Sequence, residues 1–249
     1  MRILSIAFVI LLTQVFAFAG LKQESSVDEI LDALHEVGKD LRSFSANVTL
    51  HETDLISQDS SSRSGLAVYQ LLGEGNARFR VTFLKRTQDN LTQDQRIEYL
   101  LDNGILSDRN YTRKLEVRQR VVRPGEKLNL LKLGEGPFPL PIGQPRPEVL
   151  KLFEVTKIAP AKDSPANTVR IRLTPKPGTQ FDRKFKSIDA SVNLESNMPT
   201  RIDTIDANET LKRGTELTDL RLNVELTQAH FALPPLPDDW QKREEAFNE

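Results

Sequence analysis

Residues 25–50 read SSVDEILDALHEVGKDLRSFSANVTL, and a change of period inside this stretch decides the fold. Val27, Ile30, Leu31, Leu34, Val37 and Leu41 recur at helical spacing, Ser25 or Ser26 can cap the segment, and Asp28 and Glu29 suit its positive N-terminal end. At Phe44 the period drops to two: Phe44, Ala46, Val48 and Leu50 alternate with Ser45, Asn47, Thr49 and His51. A helix with one greasy face therefore runs directly into a strand.

Downstream, short alternating runs recur at Gly65–Leu72, Arg78–Leu84, Arg96–Leu101, Thr112–Val122, Thr168–Thr174, Phe185–Leu194, Thr200–Ile205 and Leu217–Thr227. Turn residues separate them, including Gly73-Glu74-Gly75-Asn76, Asp102-Asn103-Gly104, Pro175-Lys176-Pro177-Gly178 and Asn197-Met198-Pro199. About ten strands with short connections, and no helices alternating with them, predict a mainly β, α+β chain built on one antiparallel sheet that meanders and curls. The same order argues against a parallel dinucleotide-binding sheet. No repeat or linker divides residues 20–249, which are expected to form a single domain. Ser60-Ser61-Ser62 reads as a solvated polar connection.

The segment Pro124–Pro147 differs from the other connections. Leu128, Leu130, Leu131, Leu133, Phe138, Leu140 and Ile142 are apolar, yet Pro137, Pro139, Pro141 and Pro145 forbid a regular strand or long helix. Such a segment must lie against an apolar surface, as a packed loop or as a movable cover. A short helix over Glu148–Phe153 is expected to follow, with Pro147 in its first turn.

Upstream, residues 1–19 carry Arg2, an apolar run and Ala17-Phe18-Ala19, the pattern of a cleaved export signal. The chain has no cysteine, so it offers neither the acylated cysteine of a lipid-anchored protein nor a disulfide or thiolate site. Net charge is −1, with 34 basic against 35 acidic side chains interspersed, which argues against nucleic-acid binding. The four Asn-x-Thr sequons at Asn47, Asn90, Asn110 and Asn208 read as chance in a chain rich in Asn and Thr.

Catalytic signals are sparse. His35, His51 and His230 are the only histidines and form no His-x-x-x-His pair, and no Gly-x-Ser-x-Gly elbow occurs. Asp203, Asp206 and Asn208 lack the glycine of a calcium loop and read as a turn. Gly134-Glu135-Gly136-Pro137 lacks the lysine and helix of a phosphate loop. The expectation is no enzyme, no catalytic residue, no metal and no cofactor, with a secreted hydrolase the least favoured alternative.

The order of several small motifs resembles the LolA family of periplasmic lipoprotein carriers. The helix leading into Leu41-Arg42-Ser43-Phe44-Ser45-Ala46-Asn47 is similar to that family's helix-to-strand junction. Gly65-Leu66-Ala67-Val68-Tyr69 followed by Ala77-Arg78-Phe79-Arg80 resembles its hairpin, and Leu173-Thr174-Pro175-Lys176 a strand end. Leu220-Arg221-Leu222-Asn223 leading to Phe231-Ala232-Leu233-Pro234 resembles its close. One departure stands out: Leu72-Gly73-Glu74-Gly75 fills a turn where the family commonly has a basic residue before a proline, so a lid held by that contact is not expected.

The resemblance implies a half-open β-barrel whose concave apolar face is covered by the N-terminal helix and a lid, binding lipoprotein acyl chains in the periplasm. It further implies an inner-membrane lipoprotein-releasing transporter as donor and an outer-membrane acceptor. The chain is expected to act as a monomer. Strand alternation nominates the lining: Phe44, Val48, Val68, Phe79, Val81, Phe83, Ile97, Tyr99, Val117, Ile171, Leu173, Ile188, Val192, Leu222 and Val224, with Leu34 from the helix. Leu130, Leu131, Leu133 and Phe138 are the lid candidates. A lipid-sensing regulatory module of the same fold is the alternative function.

Overall fold

The computed structural model describes residues 20–73, 76–122, 130 and 142–245. Residues 1–19, where an export signal is expected, lie outside them. The chain opens with helix α1 (Val27–Asp40) and continues through β1 (Ser43–Asp54), β2 (Ser60–Gly73), β3 (Asn76–Gln88), β4 (Leu91–Asp102), β5 (Ile105–Asn110) and β6 (Leu115–Arg120). After helix α2 (Arg146–Leu152) come β7 (Phe153–Ile158), β8 (Thr168–Pro175), β9 (Phe185–Asn193), β10 (Pro199–Asp206) and β11 (Leu211–Leu222). A 3₁₀ turn (Gln228–Phe231) and β12 (Gln241–Glu245) follow.

Helix α1 starts where a reciprocal cap forms. Glu29 N donates to Ser26 Oγ at 3.3 Å, and Ser26 N donates to the Glu29 carboxylate at 2.7 Å. Two backbone donors without helical partners are thereby satisfied, and Ser26 rather than Ser25 is the cap.

The strands form one open, curved sheet of twelve, in the order β12-β6-β5-β4-β3-β2-β1-β11-β10-β9-β8-β7. This order is two meanders joined at one seam. β1 to β6 run outward from β1, β7 to β11 run back toward it, and β11 closes on β1 with Phe44 opposite Leu222 and Val48 opposite Leu217. Tight turns allow this. Asp89 and Asn90 adopt φ of 52° and 62°, and Asn103 and Gly104 adopt 49° and 71°, the left-handed pairs that two-residue hairpins require. Register shifts at Ser45/Asn47, Ser64/Gly65 and Phe83/Lys85 add local bend and twist. At Gly65 any Cβ would lie 1.9 Å from the Thr82 carbonyl oxygen, so only glycine lets β2 and β3 close at this bulge.

Several local expectations need correction. Ser60-Ser61-Ser62 is not a loop but the start of β2, with Ser61 opposite Glu52 and Ser62 opposite His51. Ladder pairing uses backbone groups, so polar side chains are tolerated where both faces of a hairpin meet water. The run Thr112–Val122 is strand only over Leu115–Arg120, and β5, β7 and β12 fall outside the expected runs. The short helix is Arg146–Leu152, starting two residues and ending one residue earlier than expected.

Beyond β11 the chain crosses the outer face of the sheet, the side away from α1. Arg78 stacks on the Phe231 ring at 4.0 Å and bonds Gln70 and Gln228. Arg80 donates to the carbonyls of His230 and Ala232, and Arg109 to that of Pro234. Trp240 meets the Tyr111 ring edge-on, and β12 then pairs in parallel with β6 at the edge of the sheet. Among the described residues no helix is long and apolar enough to cross a membrane.

Candidate functional site

The inner face, beneath α1, is built in cross-strand rows. Phe44, Tyr69, Phe79 and Leu101 form one row over β1 to β4; Ala46, Ala67, Val81 and Tyr99 form the next; Val48, Gly65, Phe83 and Ile97 the third. Across the seam, Ile202, Ala190 and Ile171 line up over β10 to β8, as do Ile188 and Leu173 with Val155 of β7. Aromatic contacts knit the first half: Phe44 stacks on Tyr69 at 5.4 Å, and Phe83 meets Tyr99 edge-on at 6.3 Å. Burial pushes the Tyr69 hydroxyl up to about 12, so it stays neutral in this apolar setting.

Helix α1 roofs these rows. Ile30, Leu31 and Leu34 are buried in the same cluster, Leu34 at 1% exposure. The segment after residue 141 fastens the helix from the side. Gly143 N donates to the Leu34 carbonyl at 3.0 Å, and the His35 ring lies 3.0 Å from the Gly143 carbonyl. Gly38 and Gly143 touch backbone to backbone, since a Cβ on Gly38 would lie 2.2 Å from Gly143 N. Arg146 reaches Asp28 at 2.6 Å, and Lys157 bonds the carbonyls of Gln23 and Ser25. Leu130 is also buried in the cluster.

Toward the tips of the β1–β2 and β3–β4 hairpins the inner face changes character. A cavity of about 280 Å³ opens there, lined by Ile97, Tyr99, Leu115 and Val117 together with Arg63, Arg86, Gln95, Asp108, Asn110, Thr112 and Arg113. Its apolar wall is continuous with the rows beneath α1 through Ile97 and Tyr99. Burial raises the Asp108 carboxyl above its ordinary value, and the charge of Arg63 opposes that rise.

Most nominated lining residues come together. Leu34, Phe44, Val48, Phe79, Val81, Phe83, Ile97, Ile171, Leu173, Ile188 and Val192 are buried in one cluster, with Tyr99 and Leu222 packed against it. Val117 lines the cavity instead. Val68 is misassigned: Ala67 and Tyr69 take the inner positions, so Val68 faces outward, opposite Ser45 and Arg80. The run Leu66-Ala67-Val68-Tyr69 offers two apolar registers, and the Tyr69–Phe44 stack selects the one with less aliphatic bulk. Val224 lies beyond the strand expected to carry it and is half-buried. β11 ends at Leu222 because Asn223 turns left-handed at φ 52°, its side-chain oxygen accepting from Arg42 N at 2.7 Å. Leu131, Leu133 and Phe138 lie outside the described residues.

Sequence reading missed Tyr69, Met198, Ile202 and Phe153 as members of the cluster. Tyr69 carried a usable signal, since it sits in phase with Ala67, whereas Ile202 is flanked in phase by Thr200 and Thr204. The histidines occupy separate places. His35 is on α1, His51 lines a polar hollow at the hairpin tips, and His230 closes the 3₁₀ turn through Thr227. Asp203 belongs to β10, where Arg201 binds it, while Asp206 caps the following turn by accepting from Thr210 N and Leu211 N. No group of three or more His, Asp or Glu among the described residues could hold a metal ion.

No family model matches this chain, and no curated protein matches it. Solved structures similar to it include an uncharacterized conserved protein from Thermus thermophilus, at 14% identity and TM-score 0.46, covering 89% of this chain and 100% of that one. MucB in the Pseudomonas aeruginosa MucA/MucB complex is similar at 12% identity and TM-score 0.46, covering 83% of this chain. This chain spans 60% of that MucB chain. The LolA superfamily protein NE2245 from Nitrosomonas europaea is similar at 14% identity and TM-score 0.35, covering 82% of this chain and 97% of that one.

Proposed function

We propose that the protein is a periplasmic carrier that shelters the acyl chains of lipoproteins, or of a related lipid, between the inner face of its sheet and helix α1. One observation carries this reading: a continuous apolar face on an unclosed sheet is roofed by a helix whose buried grip consists of Ile30, Leu31 and Leu34. An acyl chain exposed to water forfeits roughly 0.8 kcal/mol per methylene, on the order of 10 kcal/mol for a long chain. A trough of aliphatic and aromatic side chains recovers that energy without directional bonds, so the same surface accepts different chains and releases them.

The roof is exchangeable on the same grounds. Hydrocarbon from the ligand replaces hydrocarbon from α1, and the buried area changes little. The nominated inner residues serve as the chain-binding wall, and Leu130, with its neighbours Leu131, Leu133 and Phe138, as part of the cover. Loading from a membrane transporter and delivery to an outer-membrane acceptor complete the proposal.

Two measurements test it. Mass spectrometry of solvent extracts from the purified protein is expected to find acyl lipid, and incubation with inner-membrane vesicles is expected to release lipoprotein into a soluble complex. Lipid retained without lipoprotein release identifies a lipid-sensing module. Absence of lipid in both assays overturns the trough reading.

A further inference from the structure

The cavity at the hairpin tips places two arginines side by side on the inner face. Arg63 of β2 is directly opposite Arg86 of β3, and both line the cavity beside Tyr99 and Asn110. Two like charges paired across a ladder repel, and proteins ordinarily avoid the arrangement or neutralise it. Here neutralisation is partial. Arg63 Nη1 is 3.2 Å from Glu52, which Arg213 shares, while among the described residues Arg86 Nη2 reaches only the neutral side chain of Gln88. The Nε of each arginine is buried with no hydrogen-bond partner among the described residues. A guanidinium N–H withdrawn from water without an acceptor is costly, and its presence on both members of a pair calls for an acceptor that enters from outside.

The lining fixes the sign and the shape of that acceptor. Arg63, Arg86 and Arg113 face the cavity against one carboxylate, Asp108, so the balance favours an anion. A phosphate presents several oxygens that can accept from two guanidinium groups at once, and Asn110 and Tyr99 add polar groups on the same wall. Gln95 and Thr112 complete the polar side, while Ile97, Leu115 and Val117 form an apolar part that leads through Ile97 and Tyr99 into the rows beneath α1. The preferred guest is therefore amphipathic, with charge at the hairpin tips and hydrocarbon inward.

We infer that this cavity is a head-group subsite, in which Arg63 and Arg86 bind the phosphate of an acyl lipid whose chain lies in the trough. The inference rests on the trough reading and adds to it a preference for anionic over neutral lipids. Tyr99 and Ile97 mark the boundary between the two parts of the guest.

The test compares two probes with the same chain, palmitoyl lysophosphatidate and monopalmitoylglycerol, by titration calorimetry on the delipidated protein, with inorganic phosphate as a third arm. Lysophosphatidate is expected to bind roughly 10- to 100-fold more tightly than the glyceride, the range that charge-assisted bonds supply. Arg63→Gln and Arg86→Gln should each weaken lysophosphatidate binding far more than glyceride binding and so remove most of this advantage. Asp108→Asn, which deletes the one carboxylate lining the cavity, should widen it severalfold and serves where an arginine variant fails to fold. Equal binding of both lipids overturns the subsite and leaves the trough standing. Phosphate binding as tightly as lysophosphatidate overturns the lipid assignment in favour of a free anion. Binding of neither lipid overturns both readings.

Discussion

The two faces of the sheet are covered by different means. On the inner face α1 rests through Ile30, Leu31 and Leu34, with the Gly143–Leu34 bond and exposed ion pairs such as Arg146–Asp28 at its margin. On the outer face the chain from Asn223 to Trp240 is held by bonds to charged groups. Glu98, at 0% exposure, accepts from Arg80 at 2.7 Å, Arg96 at 2.8 Å and Tyr111 at 2.7 Å. Thr82, Glu98, Arg109 and Glu116 form a cross-strand row, with Arg109 bound to Glu116 at 2.7 Å and to Pro234. The contrast is one of exchangeability. Apolar contact has no direction, so another hydrocarbon can replace it; a buried ion pair that loses one partner strands the other in low dielectric.

The sharpest way to break this contrast is Glu98→Ala. Arg80 and Tyr111 lose their shared acceptor, and urea unfolding should show a loss of about 3–5 kcal/mol. Trp240 is the only tryptophan, so red-shifted emission would show the C-terminal crossing coming away from Tyr111. If stability is unchanged, the outer network contributes nothing beyond packing.

Leu34→Ala probes the other face. In the lipid-free protein it should cost about 2–4 kcal/mol, as for any buried leucine. If α1 is an exchangeable roof, the same variant should bind acyl lipid more tightly than the parent, because less contact is given up on opening. Weaker or unchanged binding would make α1 part of a permanent core. Gly38→Ala acts on the side fastening. Its Cβ meets the Gly143 backbone at 2.2 Å, so helix and segment must separate, at about 1–3 kcal/mol, with faster entry of a fluorescent fatty-acid probe in stopped flow.

Acid separates the faces without mutation. Burial, the largest single influence on Glu98, would raise its carboxyl, but the bonds from Arg96, Tyr111 and Arg80 together outweigh it and hold the group below the ordinary value of 4.5. A lowered value in the folded state means that this stabilisation is complete above 4.5 and is lost as pH falls from there through the folded-state value. Trp240 emission should shift red across that window, and the step should vanish in Glu98→Ala. The smallest effect belongs to Ser26→Ala, which removes the α1 cap at about 1 kcal/mol and should loosen the roof without disturbing Trp240.

Much of the inner face could be read from alternation because its strands have one apolar register. Phe79, Val81 and Phe83 leave no choice, and Ile171 with Leu173 are equally plain. Val68 failed because two registers compete in its strand, and the strand expected to run to Thr227 stops at Leu222 because a left-handed Asn223 ends it, which no apolar pattern reports. The outer face was illegible for another reason. Arg80, Glu98 and Tyr111 look like ordinary solvated residues until β3, β4 and the turn after β5 bring them to one carboxylate.

Sequence by itself determined the helix-to-strand opening, the turns and the antiparallel character of the sheet, because caps, glycine conformations and two-residue periodicity act within a few residues. The joining of two meanders at β1 and β11, the crossing of the outer face and the pairing of Arg63 with Arg86 were decided only by tertiary structure. These contacts depend on which strands become neighbours, and that choice is made by the burial of the whole inner face at once.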